Sequence, residues 1–324
     1  MGKIGIVKEE HLPANTNQAC AIIRLKHSGS DYRFIKHYFS EKSFIDYVNS
    51  LTGQAAQPNI NLTDIGNLRL LLPPLIVQEQ VASILSAYDE LIEVNNQRIK
   101  LLEETASQLY KEWFVRMRFP GYKKAKFEKG IPEGWEVKKL GEVIELCYGK
   151  ALKEEDRNGG KYPVYASSGI VGYHDLFIAT SPGIVVGRKG NVGSVFWVTQ
   201  NFYPIDTAFF VKTSLSLYYT YYNLLSQNFI EGDAAVPGLN RNQAYSNFIL
   251  IPCDDLLSKF DDLIKPMFEM LDNLHQQNNQ LRQIRDKLLP RLISGKLQVK
   301  DIKFESYDDK VLNIAAEPEP LYNL

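Results

Sequence analysis

The feature that most limits what this chain can become is a helix-length segment that occurs twice. The first runs from about Pro74 to Arg118. Its Tyr88, Ile92, Asn95, Ile99, Leu102, Ala106, Leu109 and Trp113 alternate steps of four and three, the spacing of a coiled-coil seam. The second runs from about Asp255 to Leu297 and places Leu271, Leu274, Asn278, Leu281, Leu288 and Leu292 on the same kind of seam. Both carry one local string, Asn95-Asn96-Gln97 and Asn278-Asn279-Gln280, with an Asn on the seam near mid-helix. A buried seam Asn costs stability but fixes register and partner orientation. A globular stretch separates the segments and returns the chain end over end, so antiparallel pairing is expected. Asn95 and Leu102 would then face Asn278, Leu274 and Leu281.

The repeat reaches beyond the helices. Gln57-Pro58-Asn59-Ile60-Asn61 and Leu70-Leu71-Leu72-Pro73 precede the first; Val236-Pro237-Gly238-Leu239-Asn240 and Ile249-Leu250-Ile251-Pro252 precede the second at the same spacing. Gly2-Lys3-Ile4-Gly5-Ile6-Val7 resembles Gly190-Asn191-Val192-Gly193-Ser194-Val195, and Phe34–Phe39 resembles Tyr218–Tyr222. Residues 1–118 therefore read as a second edition of residues 187–297. The stretch from Pro132 to Gly187 has no counterpart, so the first copy is expected to be a partial domain that opens on a turn and an apolar strand at Ile4, Ile6 and Val7. In the second copy, strands are expected at Glu136–Leu140, Ile184–Val186, Ser194–Val198, Thr207–Val211 and Phe248–Ile251, with a helix over Leu215–Phe229. A Lys-rich linker covers Tyr122–Gly130, and an acidic, Pro-containing tail after Leu297 reads as extended.

The length of 324 residues allows two domains with connectors. No apolar run is long enough to span a membrane and no signal-peptide pattern opens the chain. Cys20, Cys147 and Cys253 fit no metal or redox spacing and read as reduced thiols of a cytoplasmic protein. A net charge of −1 gives no bulk attraction to nucleic acid, so any such binding needs a local basic face.

Catalytic patterns are missing from the sequence. Ser294-Gly295-Lys296-Leu297 lacks the rest of a phosphate-binding Walker motif. The five His residues show no paired metal spacing, and Leu72-Pro73-Pro74-Leu75 cannot present the amide and aromatic groups of an amino-methyltransferase. Gly187-Arg188-Lys189-Gly190-Asn191-Val192-Gly193 is followed by strand-forming residues rather than a helix, which disfavours a nucleotide loop. It reads instead as a tight hairpin displaying Arg188 and Lys189 to guanine or phosphate. Asn240, Arg241 and Gln243 form a second polar cluster in a loop, and Ser167 and Ser168 a third. The plain alternative for each is a solvated turn. Tyr218–Tyr222 has helical spacing, which favours core packing over a base-stacking platform.

Several strings together resemble the specificity subunit of type I restriction-modification systems. They are Leu72-Pro73-Pro74-Leu75, Gln78-Glu79-Gln80, Ile84-Leu85 and Asp89-Glu90-Leu91-Ile92 on the first helix. Leu288-Leu289-Pro290-Arg291-Leu292-Ile293-Ser294-Gly295-Lys296-Leu297 closes the second, and Ile131-Pro132-Glu133-Gly134-Trp135 opens the second domain. The resemblance implies an α+β fold with two mixed α/β target-recognition domains, the first partial, joined by two long antiparallel coiled-coil helices. The expected division is a partial first domain at 1–73, a spacer helix at 74–118, a second domain at 119–254, a spacer helix at 255–297 and a tail at 298–324.

It also implies a non-catalytic subunit that binds a bipartite duplex DNA target. Such a subunit holds methyltransferase subunits that use S-adenosylmethionine to methylate adenine N6, itself binding no cofactor and no metal. Restriction (motor) subunits join that core. About 40 helical residues at 1.5 Å each give a rod of about 60 Å, close to two turns of B-DNA. The short first domain suggests a truncated or rearranged subunit that pairs with another chain. The competing readings are a coiled-coil protein-interaction scaffold without DNA recognition, and a fragment of a fused restriction-methyltransferase enzyme.

Overall fold

The structure is a computed structural model and describes residues 4–17, 20–26, 29–51, 60–157, 159–229 and 238–301. The helices are α1 (Tyr32–Ser40), α2 (Lys42–Leu51), α3 (Leu62–Gly66), α4 (Leu75–Tyr110), α5 (Leu217–Ser226), α6 (Arg241–Ser246) and α7 (Asp254–Ile293). The chain divides into two compact units, residues 1–94 with 277–324 and residues 95–276. Each unit therefore holds part of both long helices.

In the first unit, α1 begins where the Asp31 carboxylate accepts the backbone N–H groups of Arg33 and Phe34, closing the free donors of the first turn. Its apolar face buries Phe34, Ile35 and Phe39 against Val81, Ala82 and Leu85 of α4. Leu292 of α7 completes this core, with Leu288, Leu289 and Ile293 packed around it. Early residues of α4 thus meet late residues of α7, which is antiparallel pairing. A charged link lies on the same line. Asp89 of α4 accepts from Arg285 of α7 at 2.6 Å and from Lys36 of α1. Gln78, buried, donates to the carbonyls of Gly29 (3.1 Å) and Pro73 (2.8 Å) and accepts from the N–H of Asp31 (3.1 Å).

In the second unit the same two helices pair in the same sense. Ile99 and Leu102 pack with Leu271 and Leu274; further along, Tyr110 and Phe114 meet Phe260. Leu102 and Leu274 thus share one seam. Asn95 and Asn278 are each buried in their own unit, and Leu281 is half-buried. The coiled-coil helix α4 widens into one π turn, Lys111–Val115, which carries Trp113 and Phe114 into the core.

Among the described residues the strands all lie in the second unit: β1 (Phe127–Glu128), β2 (Ile131–Pro132), β3 (Glu136–Lys139), β4 (Ile144–Tyr148), β5 (Tyr162–Ala166), β6 (Gly169–His174), β7 (Gly183–Gly187), β8 (Val195–Val198), β9 (Tyr203–Pro204), β10 (Ala208–Thr213) and β11 (Phe248–Ile251). The central sheet runs β4-β10-β7-β8, antiparallel throughout. β11 pairs with β3, β1 with β2, and β5 lies between β6 and β9. Ile184, Val186, Phe209 and Val211 of the sheet share one core with Tyr219, Tyr222 and Leu224 of α5 and Phe260 and Ile264 of α7. The tyrosines of 218–222 are therefore core and helix-packing groups, as their spacing predicts.

Three expectations need correction. The strand expected at Ile4, Ile6 and Val7 does not form; no strand occurs among the described residues of the first unit. The reason is pairing. In the second copy β8 bonds to β7, β10 to β4 and β7, and β11 to β3, and those partners fall within Pro132–Gly187, which residues 1–118 do not duplicate. The loop expected at Asn240–Gln243 is instead the start of α6, with Asn240 as its cap. Strands β4, β5 and β6 also fill a stretch where none was expected. Most of the tail, and the repeat strings Gln57-Pro58-Asn59 and Val236-Pro237, lie outside the described residues.

Candidate nucleic-acid interface

The two basic loops singled out in the sequence meet at one end of the central sheet. The first is the turn between β7 and β8. A side chain at Gly187 would place its Cβ 2.1 Å from the Asn191 carbonyl, and Gly190 sits at φ +80°, so only glycine permits this tight return. Gly187 N–H donates to Ser194 O at 2.7 Å and Gly193 N–H to Gly187 O at 2.9 Å. Arg188 is pinned in the backbone as well: its N–H donates to Thr207 O (2.9 Å) and its carbonyl accepts from Leu239 N–H (2.7 Å). Lys189 and Gly238 form a bridge, which brings the second loop alongside.

That second loop leads into α6. The Asn240 side-chain oxygen accepts the N–H groups of Asn242 (2.9 Å) and Gln243 (3.3 Å), so it serves as a helix cap. Tyr245, one turn on, accepts the N–H of Leu146 at its hydroxyl (2.8 Å) and ties α6 to β4. Arg241 is thereby held over the sheet end.

Both guanidinium groups come to rest on one ring. Arg188 lies 5.0 Å and Arg241 4.9 Å from the centroid of Tyr148, the last residue of β4. Sequence reasoning missed Tyr148. Its signal was the alternation Ile144, Leu146, Tyr148 ahead of Gly149, which marks a strand. Tyr148, Arg188, Lys189, Gly238, Leu239, Asn240, Arg241 and Asn242 line a hollow of about 520 Å³. Lys189 reaches Asp206 at 3.9 Å, and Arg188 Nη1 donates to the Asp206 carbonyl at 2.9 Å. Three cations against one carboxylate make a local basic site on a near-neutral chain.

The remaining expected residues divide. Ser167 and Ser168 form the β5–β6 turn beside the Gly187–Gly193 turn, where Ser194 Oγ donates to Ser167 O at 2.6 Å. Ser168 is exposed but Ser167 is buried, so its hydroxyl is not presented outward. Asn191 is exposed at the hairpin tip and Gln243 is half-buried on α6. Arg188 is not displayed as expected: it is half-buried, its guanidinium also 5.8 Å from Phe209.

No group of His, Cys, Asp or Glu among the described residues could hold a metal ion. No helix among them is long and apolar enough to cross a membrane. Partial burial pushes the Cys147 thiol upward, with Glu145 beside it adding to the shift, which disfavours the reactive thiolate.

The type I restriction modification DNA specificity domain matches residues 1–104 and 132–241. The specificity subunit of the MjaIX type I restriction enzyme of Methanocaldococcus jannaschii is 25% identical, over 92% of this chain and 76% of that protein. The HindI specificity subunit of Haemophilus influenzae is 20% identical, over 74% of this chain and 71% of that protein. Among solved structures, the S subunit of a type I restriction-modification system from M. genitalium superposes with a TM-score of 0.56 at 19% identity, covering 82% of this chain and 73% of that one. A match of that extent disfavours the interaction-scaffold alternative, and with it the chain belongs to the type I restriction-modification DNA specificity family.

Proposed function

We propose that the second unit reads one part of a DNA target through the hollow at the end of its central sheet. The observation that carries this is the meeting of Arg188, Lys189 and Arg241, from two separate loops, on a single face beside Tyr148. Arg offers a rigid fork to guanine O6 and N7, Lys a point charge to phosphate. Ser168, Asn191 and Gln243 flank the same face and would add backbone or edge contacts.

In this reading the chain is the non-catalytic member of its complex. Methyltransferase subunits, carrying S-adenosylmethionine, methylate adenine N6, and motor subunits add restriction. The paired helices α4 and α7 set the distance between the two parts of a bipartite target. The complex works in the cytoplasm, where the DNA is. Family membership and the absence of a catalytic pattern in the sequence support this assignment. Self-association of the chain belongs to the same proposal, and light scattering of the purified protein tests it.

The DNA test is a binding titration of duplex target by the chain assembled with a cognate methyltransferase subunit. Each bidentate Arg contact contributes roughly 1–3 kcal/mol of discrimination. Arg188→Ala and Arg241→Ala should each weaken specific binding about tenfold or more while the complex still assembles. Unchanged affinity in both variants would overturn the assignment of this site.

A further inference from the structure

We infer that Tyr148 is a positioning residue for sequence reading: its ring holds Arg188 and Arg241 as a preset pair, and so fixes which base the second unit accepts. This rests on the DNA-reading role proposed above for the same hollow.

The ring is itself fixed from below. In the β4–β10 ladder Tyr148 stands opposite Phe209, a fully buried residue, with ring centroids 5.0 Å apart. Yet Tyr148 is 49% exposed. A large aromatic group at a strand end, anchored on one side and open on the other, is a platform rather than a core element. The two groups resting on it arrive by different routes. Arg188 comes from the β7–β8 turn and is also held by the Asp206 carbonyl. Arg241 comes from α6, capped by Asn240 and tied to β4 through Tyr245. Backbone bonds join the two loops, Leu239 N–H to Arg188 O and the Lys189–Gly238 bridge, and the Tyr148 ring is the side-chain contact that both guanidinium groups share.

This matters because an unrestrained Arg loses several rotatable bonds when it meets a base. A guanidinium stacked on an aromatic face keeps its planar fork aimed and loses less on binding. The face of Tyr supplies that attraction without withdrawing any of the fork's five N–H donors. A hydroxyl is not needed for it, only the ring.

The test uses the chain assembled with its methyltransferase subunit, on a target found by methyladenine sequencing of cells that express the complex. Binding is measured for that duplex and for duplexes with single base changes, in Tyr148→Leu, Tyr148→Phe, Arg188→Ala and Arg241→Ala. Tyr148→Leu should lose about tenfold in preference for the correct base at one position, with its salt dependence and its melting temperature kept. Tyr148→Phe should stay within about twofold of the unaltered protein.

The inference is overturned if Tyr148→Leu discriminates as well as Tyr148, or if Tyr148→Phe fails as badly as Tyr148→Leu. It is also overturned if Tyr148→Leu weakens all duplexes equally along with its melting temperature, which is the signature of a fold defect. If both Arg→Ala variants bind normally, the DNA reading of the hollow itself falls, and the inference falls with it. Normal Arg requirement with an indifferent Tyr148 removes only the inference.

Discussion

The two units of this chain each dock a corresponding helix on their own part of α4 and α7, with opposite chemistry. Phe34 and Tyr219 each lie three residues after a capping side chain, Asp31 or Ser216, and each is almost wholly buried. Two and three residues further on, the first half has Lys36 and His37; the second has Tyr221 and Tyr222. Their partners also correspond: Asp89 and Phe268 each stand sixteen residues after the repeated prolines Pro73 and Pro252. The first half makes an ion pair there; the second makes aromatic contacts of 5.8 and 6.1 Å. Helix-on-helix docking tolerates that exchange because it needs only a filled, satisfied contact. Strands do not tolerate the loss of a neighbour. Among the described residues, the segments corresponding to β8, β10 and β11 form no strand in the first half, and Ile22, Ile23 and Leu71 are exposed.

The largest effect expected from this contrast is in amide exchange. Phe209, Phe210 and Val211, bonded to neighbouring strands, should exchange at least about a thousand-fold more slowly than Ile22, Ile23 and Leu25. Comparable protection in both segments would mean that the first half has strand partners after all. Next comes the aromatic core. Phe260→Ala, at a fully buried position among Tyr110, Trp113 and Phe114, should cost about 4 kcal/mol in denaturant unfolding followed by near-UV signal.

Acid should separate the halves. Burial, then the neighbouring Lys36 charge, holds the His37 imidazole down to about 4, and Asp89 only partly opposes this. The unfolded chain takes up that proton near 6.5. Stability is therefore complete above pH 6.5 and is lost as the pH falls toward 4, by on the order of 3 kcal/mol. His37→Gln should flatten that slope. Asp89 adds a second, lower window. Burial raises its carboxyl, but the bonds from Lys36 and Arg285 outweigh it and hold it down. Its contribution is present above pH 4 and disappears below. In the second half burial pushes the Asp261 carboxyl upward, so acid favours that half slightly. Asp89→Asn, which leaves Lys36 without its anion and Arg285 with Asp286 alone, should cost about 2 kcal/mol at neutral pH. The smallest effect is the cap: Asp31→Ala should cost about 1 kcal/mol by losing the bonds to Arg33 and Phe34. Equal acid sensitivity in the two halves would break the comparison.

What the sequence made legible follows from range. The long helices are written in a local period, so α4 and α7 stand out at once, and five strands show as short segments between turn-forming residues, four of them apolar. β5 and β6 were hidden by Pro163, Gly169 and Gly172, which normally argue against strands; the ladder admits them through an irregular register between Pro163 and Tyr165. Arg188 and Arg241 were visible as basic loop residues. Their meeting on Tyr148 was not, because it depends on strand register across the sheet, such as Phe209 facing Tyr148. The failure of the first-half strand was hidden for the same reason: pairing is a property of the neighbour, not of the segment.

The most direct test of the account is methyladenine sequencing of DNA from cells expressing the chain with a cognate methyltransferase, beside the Arg188→Ala, Arg241→Ala double variant. The account predicts a defined methylated motif with the unaltered chain, and loss or relaxation of one part of that motif in the variant. An identical motif methylated to the same extent in both would contradict it.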